Sequence, residues 1–320
     1  MPSSLIIFLV VIAGVFGLLI GSFLNVVAYR VPAKVSLMRE SRCPHCDAAI
    51  KPWHNVPVLG WIVLRGRCGN CKAPISPRYP IVEAITGIAF AVITWVGLTY
   101  PAVLGASTGS ATGGGSATGG GPATGGGSAI GASTGSATET GSATLDGSAI
   151  EAWALALIIV AFLYFAAVSI VLTLIDLDTH RLPNSIVLPS YLVAGILFTI
   201  AAWLLGDWGS LLRAAIGMAA MYSFYFVLRL ARPGGMGGGD VKLAGVVGIY
   251  LGWIGWGALA VGAFAAFLYG GLFGVALILL RRAGRKTAIP FGPWMILGAW
   301  TGVFAGEAVG RWYVNLFVGT

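Results

Sequence analysis

The sequence predicts an all-α polytopic membrane protein of about eight transmembrane helices, with a small cysteine-bearing loop on the cytoplasmic side. Three observations lead to this prediction. Only 9% of the 320 residues are charged, against roughly 25% in soluble domains, and the mean hydropathy is +0.88. Long stretches carry no charge at all, and the basic residues cluster in a few segments. This number of charged residues is too small to cover the surface of a water-soluble protein. Lipid must therefore solvate much of the chain.

Apolar runs define the helices in chain order, since a helix needs about 20 apolar residues to cross a bilayer. Leu5–Tyr29 is free of charge, and it is too long for a signal peptide. Leu243–Leu280 also carries no charge and is long enough for two crossings, with a turn near Gly255-Trp256-Gly257. The other runs are Ile81–Leu104, Ala152–Ile175, Ile186–Leu205, Leu211–Leu230 and Ala288–Gly306.

The basic residues predict the orientation of these helices. Of the 19 Lys and Arg residues, 17 lie in four segments, at 30–78, 181, 229–242 and 281–286. With eight crossings, all four segments fall on one side of the membrane, and an excess of Lys and Arg marks the cytoplasmic side. The net charge of +8 is therefore a topology signal, and we expect no nucleic-acid partner.

Five parts follow along the chain. Residues 1–30 are predicted as the first transmembrane helix, 31–80 as the cytoplasmic cysteine loop, and 81–104 as the second transmembrane helix. Residues 105–150 are a low-complexity tract of Gly, Ser, Ala and Thr, which is predicted to be a disordered, non-cytoplasmic linker because it cannot bury a core. Residues 151–320 are predicted as a six-helix membrane domain.

Two aspartates are the candidate catalytic residues. Asp176 ends the third predicted helix, and Asp240 follows a glycine-rich turn before the sixth. The chain between them is long enough for one crossing out and one back, so both carboxylates return to the same side and depth. Ionisable groups at membrane depth are costly and point to function. Of two close carboxylates, one can act as base and the other as acid, which suits water-mediated attack on a peptide carbonyl. Asp178 is interpreted as a helix-end residue.

Three neighbours of Asp240 are candidate substrate-binding residues. Gly237 and Gly239 lack side chains, which lets the backbone bend and an extended substrate approach closely. Lys242 could attract an acidic substrate group.

The four cysteines, Cys43, Cys46, Cys68 and Cys71, form two C-x₂-C pairs within one polar loop. This spacing predicts a four-thiolate zinc site, in which the metal closes a loop too short to build its own core. Such a site is structural, because four protein ligands leave no open position for water. The alternative is redox chemistry of C-x-x-C pairs, which a cytosolic location disfavours.

The chain resembles the bacterial type IV prepilin peptidases, which are bifunctional leader peptidases and N-methyltransferases of the Gly-x-Gly-Asp type. The resemblance covers nearly the whole chain except the 105–150 tract. Besides the two cysteine pairs, it rests on Gly21–Val27, Trp53–Pro57, Arg78–Glu83, Ile175-Asp176, Leu182–Asn184, Gly237–Leu243 and Pro290–Pro293.

This resemblance implies a specific activity. The family's catalytic aspartates fall on Asp176 and Asp240. Its members cleave the cytoplasmic leader of prepilins and pseudopilins after a glycine, at the inner (plasma) membrane. They then methylate the new N-terminal amine with S-adenosylmethionine, an activity associated with the cysteine loop. Because no nucleotide fingerprint is present, the methyltransferase role rests on the resemblance alone, with Asn25, Gly66, Arg78 and Glu83 as candidates.

Three other functions stay open at this point. A presenilin or signal-peptide-peptidase type enzyme also uses a Gly-x-Gly-Asp element, but it lacks the two cysteine pairs. A transporter or channel could bind protons or cations at the aspartates, although such sites lie near the membrane midplane on broken helices. A non-enzymatic assembly protein could use a zinc loop for docking, with the aspartates incidental.

Overall fold

The computed structural model describes residues 2–106, 147–231, 236–280 and 290–318. Within these ranges the chain is nearly all helical, which confirms the predicted fold class. The described residues form eight long α-helices and one short one. In chain order they are α1 (Ser3–Arg30), α2 (Leu59–Val63), α3 (Arg78–Thr99), α4 (Gly147–Thr179), α5 (Asn184–Leu205), α6 (Trp208–Ala231), α7 (Gly238–Ile254), α8 (Trp256–Leu279) and α9 (Gly292–Val318).

Six of the described helices, α1, α3, α4, α5, α6 and α8, are long and apolar enough to cross a membrane by length and composition. The helix α7 has only 17 residues, but nearly all of them are buried, from Val241 to Ile254 with Lys242 as the exception. A helix that is apolar on every side belongs in the centre of a bundle, where α7 lies against its neighbours.

The predicted turn near Gly255 is confirmed, because α7 ends at Ile254 and α8 begins at Trp256. Both free helix ends receive side-chain partners at this break. The Arg213 guanidinium donates to the carbonyl oxygens of Gly252 and Trp253, each at 2.8 Å, and so caps the end of α7. The Glu307 carboxylate accepts a hydrogen bond from the Ala258 N–H at 3.2 Å, near the start of α8. These contacts satisfy backbone groups that a helix end leaves unpaired.

Several helix limits differ from the sequence-based expectation, and α3 ends at Thr99 rather than at Leu104. The helix α4 begins at Gly147, inside the tract predicted as a linker, and α9 continues to Val318, well beyond Gly306. Both extensions consist of residues compatible with a helix, so an apolar run marks the membrane core of a helix rather than its full length. The rest of the tract, at 107–146, lies outside the described residues. The division of the chain into five parts stays a prediction.

An aromatic cluster joins α4, α5 and α7 in the core. Phe165 stacks on Tyr250 with ring centroids 4.3 Å apart, and Phe198 stacks on Trp253 at 4.5 Å. All four side chains are almost fully buried. Offset and edge contacts between such rings add to the apolar burial. The cluster fixes α7 against α4, and these two helices carry the two candidate catalytic aspartates.

Candidate active site and metal centre

Asp176 and Asp240 lie at the same end of the helix bundle, which we call the aspartate end. Asp176 lies in the last turn of α4 and is buried, and Asp240 lies in the first turn of α7 and is half-buried. The two carboxylates are close enough to interact electrostatically. The structure therefore brings together two residues that lie far apart in the sequence.

The backbone at the start of α9 holds the Asp176 carboxylate. Its Oδ2 accepts a hydrogen bond from the Gly292 N–H at 3.1 Å, where the free N–H groups of the helix N-terminus favour an acidic partner. A Cβ added at Gly292 would lie 2.7 Å from the same oxygen, so the approach requires glycine. Gly292 has no role among the sequence-based predictions. The proline that follows it at the helix start was the available signal, since proline favours the first helical turn.

Local backbone geometry holds Asp240. Its Oδ2 accepts a hydrogen bond from the Gly237 N–H at 3.1 Å, so the side chain closes the first turn of its own helix. Gly239 lies against the α4–α5 connection, and a Cβ there would be 2.7 Å from Leu182 Cβ. Gly239 thus has a structural reason to lack a side chain, and the contact of both glycines with substrate stays a prediction.

Lys242 links α7 to α5. Its Nζ donates to Asn184 Oδ1 at 2.9 Å, and its carbonyl oxygen accepts a hydrogen bond from the Tyr191 hydroxyl at 2.5 Å. Lys242 and Tyr191 also line a groove of about 460 Å³, which α5 and α6 otherwise line largely with apolar side chains. Within the part of the chain that the structure describes, no carboxylate forms an ion pair with Lys242.

The four cysteines form a compact cluster that could hold a metal ion. All four sulfurs lie within 4.8 Å of one another, none is in a disulfide, and Cys43 Sγ is 3.8 Å from Cys71 Sγ. Tetrahedral zinc with Zn–S bonds of about 2.3 Å separates its sulfurs by roughly 3.8 Å, so this donor set fits the ion. Each pair lies in a similar turn, with isolated bridges from Arg42 to Ala49 and from Arg67 to Pro74.

The electrostatics of the cysteine cluster also suit a metal. Hydrogen bonds from the backbone of Asn70 and Cys71 lower the pKa of the Cys68 thiol to about 6. Burial and the neighbouring sulfurs instead raise the pKa of Cys71 to about 11, so the backbone favours the thiolate, the form of cysteine that binds metals, at Cys68.

Three of the four methyltransferase candidates meet where the cysteine loop joins the helices. The Asn25 side chain donates to the Tyr79 carbonyl oxygen at 3.2 Å, and Glu83 Oε2 accepts from the Val58 N–H at 2.7 Å. Arg78 binds Asp178, which lies two residues after Asp176. Gly66 lies apart with a left-handed φ of 67°, and a Cβ there would be 2.8 Å from the Trp61 ring. Each candidate has a structural contact, and the role of each in methyl transfer stays a prediction.

Comparisons with known proteins agree with this arrangement. Residues 15–96 match the model of the bacterial peptidase A24 N-terminal domain, and residues 148–279 match the model of the type IV leader peptidase family. Asp176, Asp240 and Lys242 lie within the second match, and the four cysteines lie within the first.

Similar proteins match over almost their full length. A protein of Aeromonas hydrophila named prepilin leader peptidase/N-methyltransferase is 29% identical, over 95% of this chain and 93% of that protein. Proteins with the same name from Stutzerimonas stutzeri and Neisseria gonorrhoeae are 28% and 29% identical, with at least 93% of each protein covered. No solved structure gives a significant match. Because two matched family models account for most of the sequence, this chain belongs to the type IV leader peptidase family, with an A24 N-terminal domain before its peptidase domain.

Proposed function

We propose that this chain is a membrane aspartic endopeptidase that removes the leader of a type IV prepilin or pseudopilin and then methylates the new N-terminus. The observation that carries the proposal is the meeting of Asp176 and Asp240 at one end of the bundle. The family match and the names of the similar proteins support both activities.

Hydrolysis by these two side chains needs one shared proton. One carboxylate takes a proton from water, and the resulting hydroxide adds to the carbonyl carbon of the peptide bond while the other carboxylic acid protonates the carbonyl oxygen. The tetrahedral intermediate then breaks its C–N bond, and the departing amine takes up a proton. The residues around the pair contribute position: the Gly292 N–H fixes one carboxylate, and the Gly237 N–H fixes the other.

The cysteine cluster is proposed to bind one structural zinc ion, with Cys43, Cys46, Cys68 and Cys71 as ligands. Zinc would fold the loop between α1 and α3, since this segment buries few side chains of its own. S-adenosylmethionine is proposed as the methyl donor, and Asn25, Gly66, Arg78 and Glu83 stay its candidate residues.

The membrane orientation is part of the proposal. The described part of the chain has six membrane-span candidates, and the similar proteins support a multi-pass protein of the inner membrane. The clustering of Lys and Arg supports a cytoplasmic aspartate end. Prepilin leaders would then meet the aspartates on the cytoplasmic face.

The test is cleavage of a prepilin in membranes by the wild type, Asp176→Asn and Asp240→Asn, with the mature pilin followed by mass. A matched control is Asp47→Asn, an exposed carboxylate of the cysteine loop whose left-handed φ of 51° asparagine also tolerates. We expect both site variants to lose cleavage while the control retains it. The mass of the wild-type product also reports the added methyl group. Cleavage that survives either site substitution would refute the aspartic mechanism.

A further inference from the structure

Arg78 joins the two family domains at the aspartate end. The Arg78 guanidinium donates two parallel hydrogen bonds to the Asp178 carboxylate, from Nη1 to Oδ1 at 2.8 Å and from Nη2 to Oδ2 at 2.7 Å. Its Nη2 also donates to the Leu174 carbonyl oxygen at 3.3 Å. Since Arg78 lies in the N-terminal family match and both partners lie in the peptidase match, these three hydrogen bonds connect one domain to the other.

These contacts bracket Asp176 along α4. Leu174 lies two residues before it and Asp178 two residues after it, and the two contact points are four residues apart on one face of the helix. At 3.6 residues per turn, Asp176 lies on roughly the opposite face of α4. A clamp on the Arg78 side therefore sets the rotation of the last turn of α4, and with it the direction in which Asp176 points.

The base of Arg78 is itself fixed. The carbonyl oxygen of the next residue, Tyr79, accepts a hydrogen bond from the Asn25 side chain of α1 at 3.2 Å. One turn further along α3, the carboxylate of the buried Glu83 accepts a hydrogen bond from the Val58 N–H at 2.7 Å. The start of α3 is thus anchored to α1 and to the loop before it, so Arg78 reaches α4 from a rigid element.

We propose that Arg78 and Asp178 form a positioning pair, in which the N-terminal domain sets the direction of Asp176 toward Asp240. This inference rests on the proposed peptidase function. It gives Asp178 a role where the sequence indicated only a helix end. It also gives Arg78 a role in cleavage that is separate from methyl transfer.

The pair acts on geometry more than on stability. Both side chains are partly exposed, at 43% and 44%, and exposed ion pairs contribute little to the stability of a fold. Bidentate contact nevertheless fixes orientation, and lysine cannot reproduce it because its ammonium has no planar fork. Arg78→Lys is therefore the conservative variant that separates charge from geometry.

The test measures kcat and KM of prepilin cleavage, and the methylation of the product, for Arg78→Ala, Arg78→Lys, Asp178→Asn and the Arg78→Ala/Asp178→Asn double variant. We expect Arg78→Ala and Asp178→Asn each to lower kcat ~10-fold with KM nearly unchanged, since small misplacements of a reacting group reduce rate steeply. The double variant should be about as slow as either single variant, because the two side chains act as one unit. Arg78→Lys should be intermediate.

A second readout needs no substrate. The rate at which a short bifunctional thiol reagent links Asp176→Cys to Asp240→Cys, detected by the mass of the linked peptides, should fall severalfold when Arg78→Ala is added. If the wild type fails to cleave prepilin, the proposed function is wrong, and the cross-linking still tests the pair. Normal cleavage by Asp178→Asn, or an unchanged cross-linking rate, would overturn the positioning role. Loss of methylation alone in Arg78→Ala would instead assign Arg78 to the methyl-donor site.

Discussion

Gly292→Ala is the perturbation that tests the geometry of the aspartates most directly. A Cβ at position 292 would lie 2.7 Å from Asp176 Oδ2 and 3.3 Å from its Cγ, whereas ordinary contacts begin at 3.4 Å. The carboxylate must therefore withdraw, or α9 must shift, by about 0.7 Å. Either movement also lengthens the 3.1 Å hydrogen bond from the Gly292 N–H.

The expected effect follows from this displacement. A reacting group misplaced by about 1 Å can lower the rate ~100-fold, so we expect kcat to fall between ~10-fold and ~100-fold. The KM should change little, because the methyl group lies against the enzyme's own carboxylate. The assay is the rate of prepilin cleavage in membranes, with the amount of enzyme in the membrane measured in parallel.

A matched control isolates the displacement from the general effect of replacing glycine. Gly195 lies within α5, and a Cβ there meets nothing within 4 Å. Gly195→Ala should therefore cleave at the wild-type rate and be equally or slightly more stable, since alanine is the better helix former by about 1 kcal/mol. If Gly292→Ala cleaves as fast as Gly195→Ala, the start of α9 does not hold Asp176 as described.

Three further predictions use other parts of the molecule. Metal analysis of the purified protein should find one zinc ion per chain. Cys68→Ser should lower the zinc content and increase proteolysis of the cysteine loop. An unchanged zinc content in this variant would exclude the four-thiolate site. Lys242→Gln should raise KM severalfold for prepilins with an acidic residue near the cleavage site, but not for a prepilin in which that residue is neutral. An equal rise in KM for both prepilins would mean that Lys242 acts through its contact with Asn184 and not on the charge of the substrate. Val58→Gly should stabilise the loop by about 1 kcal/mol, because a β-branched residue at a φ of 59° is strained; unchanged resistance to proteolysis would contradict this.

Much of this architecture could be predicted because apolar runs and charge clusters report directly on membrane crossings. The break at Gly255 is an example: the charge-free run from Leu243 to Leu280 is too long for one crossing, and the structure divides it there. The two aspartates are catalytic candidates for a related reason, since a carboxylate beside an apolar helix stands out by its solvation cost. The cysteine cluster followed from spacing alone.

The contacts that orient these groups could not be predicted in the same way. The hydrogen bond from Gly292 to Asp176 joins residues 116 positions apart, and the pair of Arg78 and Asp178 joins residues 100 positions apart. Each partner is ordinary in its own segment, because a glycine near a proline and an arginine at a helix start have many local explanations. Only the packing of α3, α4 and α9 shows which of these residues meet.

In the proposed reaction, those long-range contacts would hold two carboxylates in fixed positions, although an aspartate side chain is flexible by itself. The helix α4 is held near Asp176 by Arg78 on one face and by Gly292 at the carboxylate. The helix α7 is held near Asp240 by Asn184 through Lys242, and at its other end by Arg213. Each aspartate thus lies on a helix that is fixed from two directions. A catalytic pair needs such pre-organisation, because a side chain that must be ordered during the reaction adds that entropy to the barrier. The N-terminal domain supplies one of these four contacts, that of Arg78. A shortened protein that lacks α1 to α3 should therefore retain both aspartates yet cleave prepilin slowly.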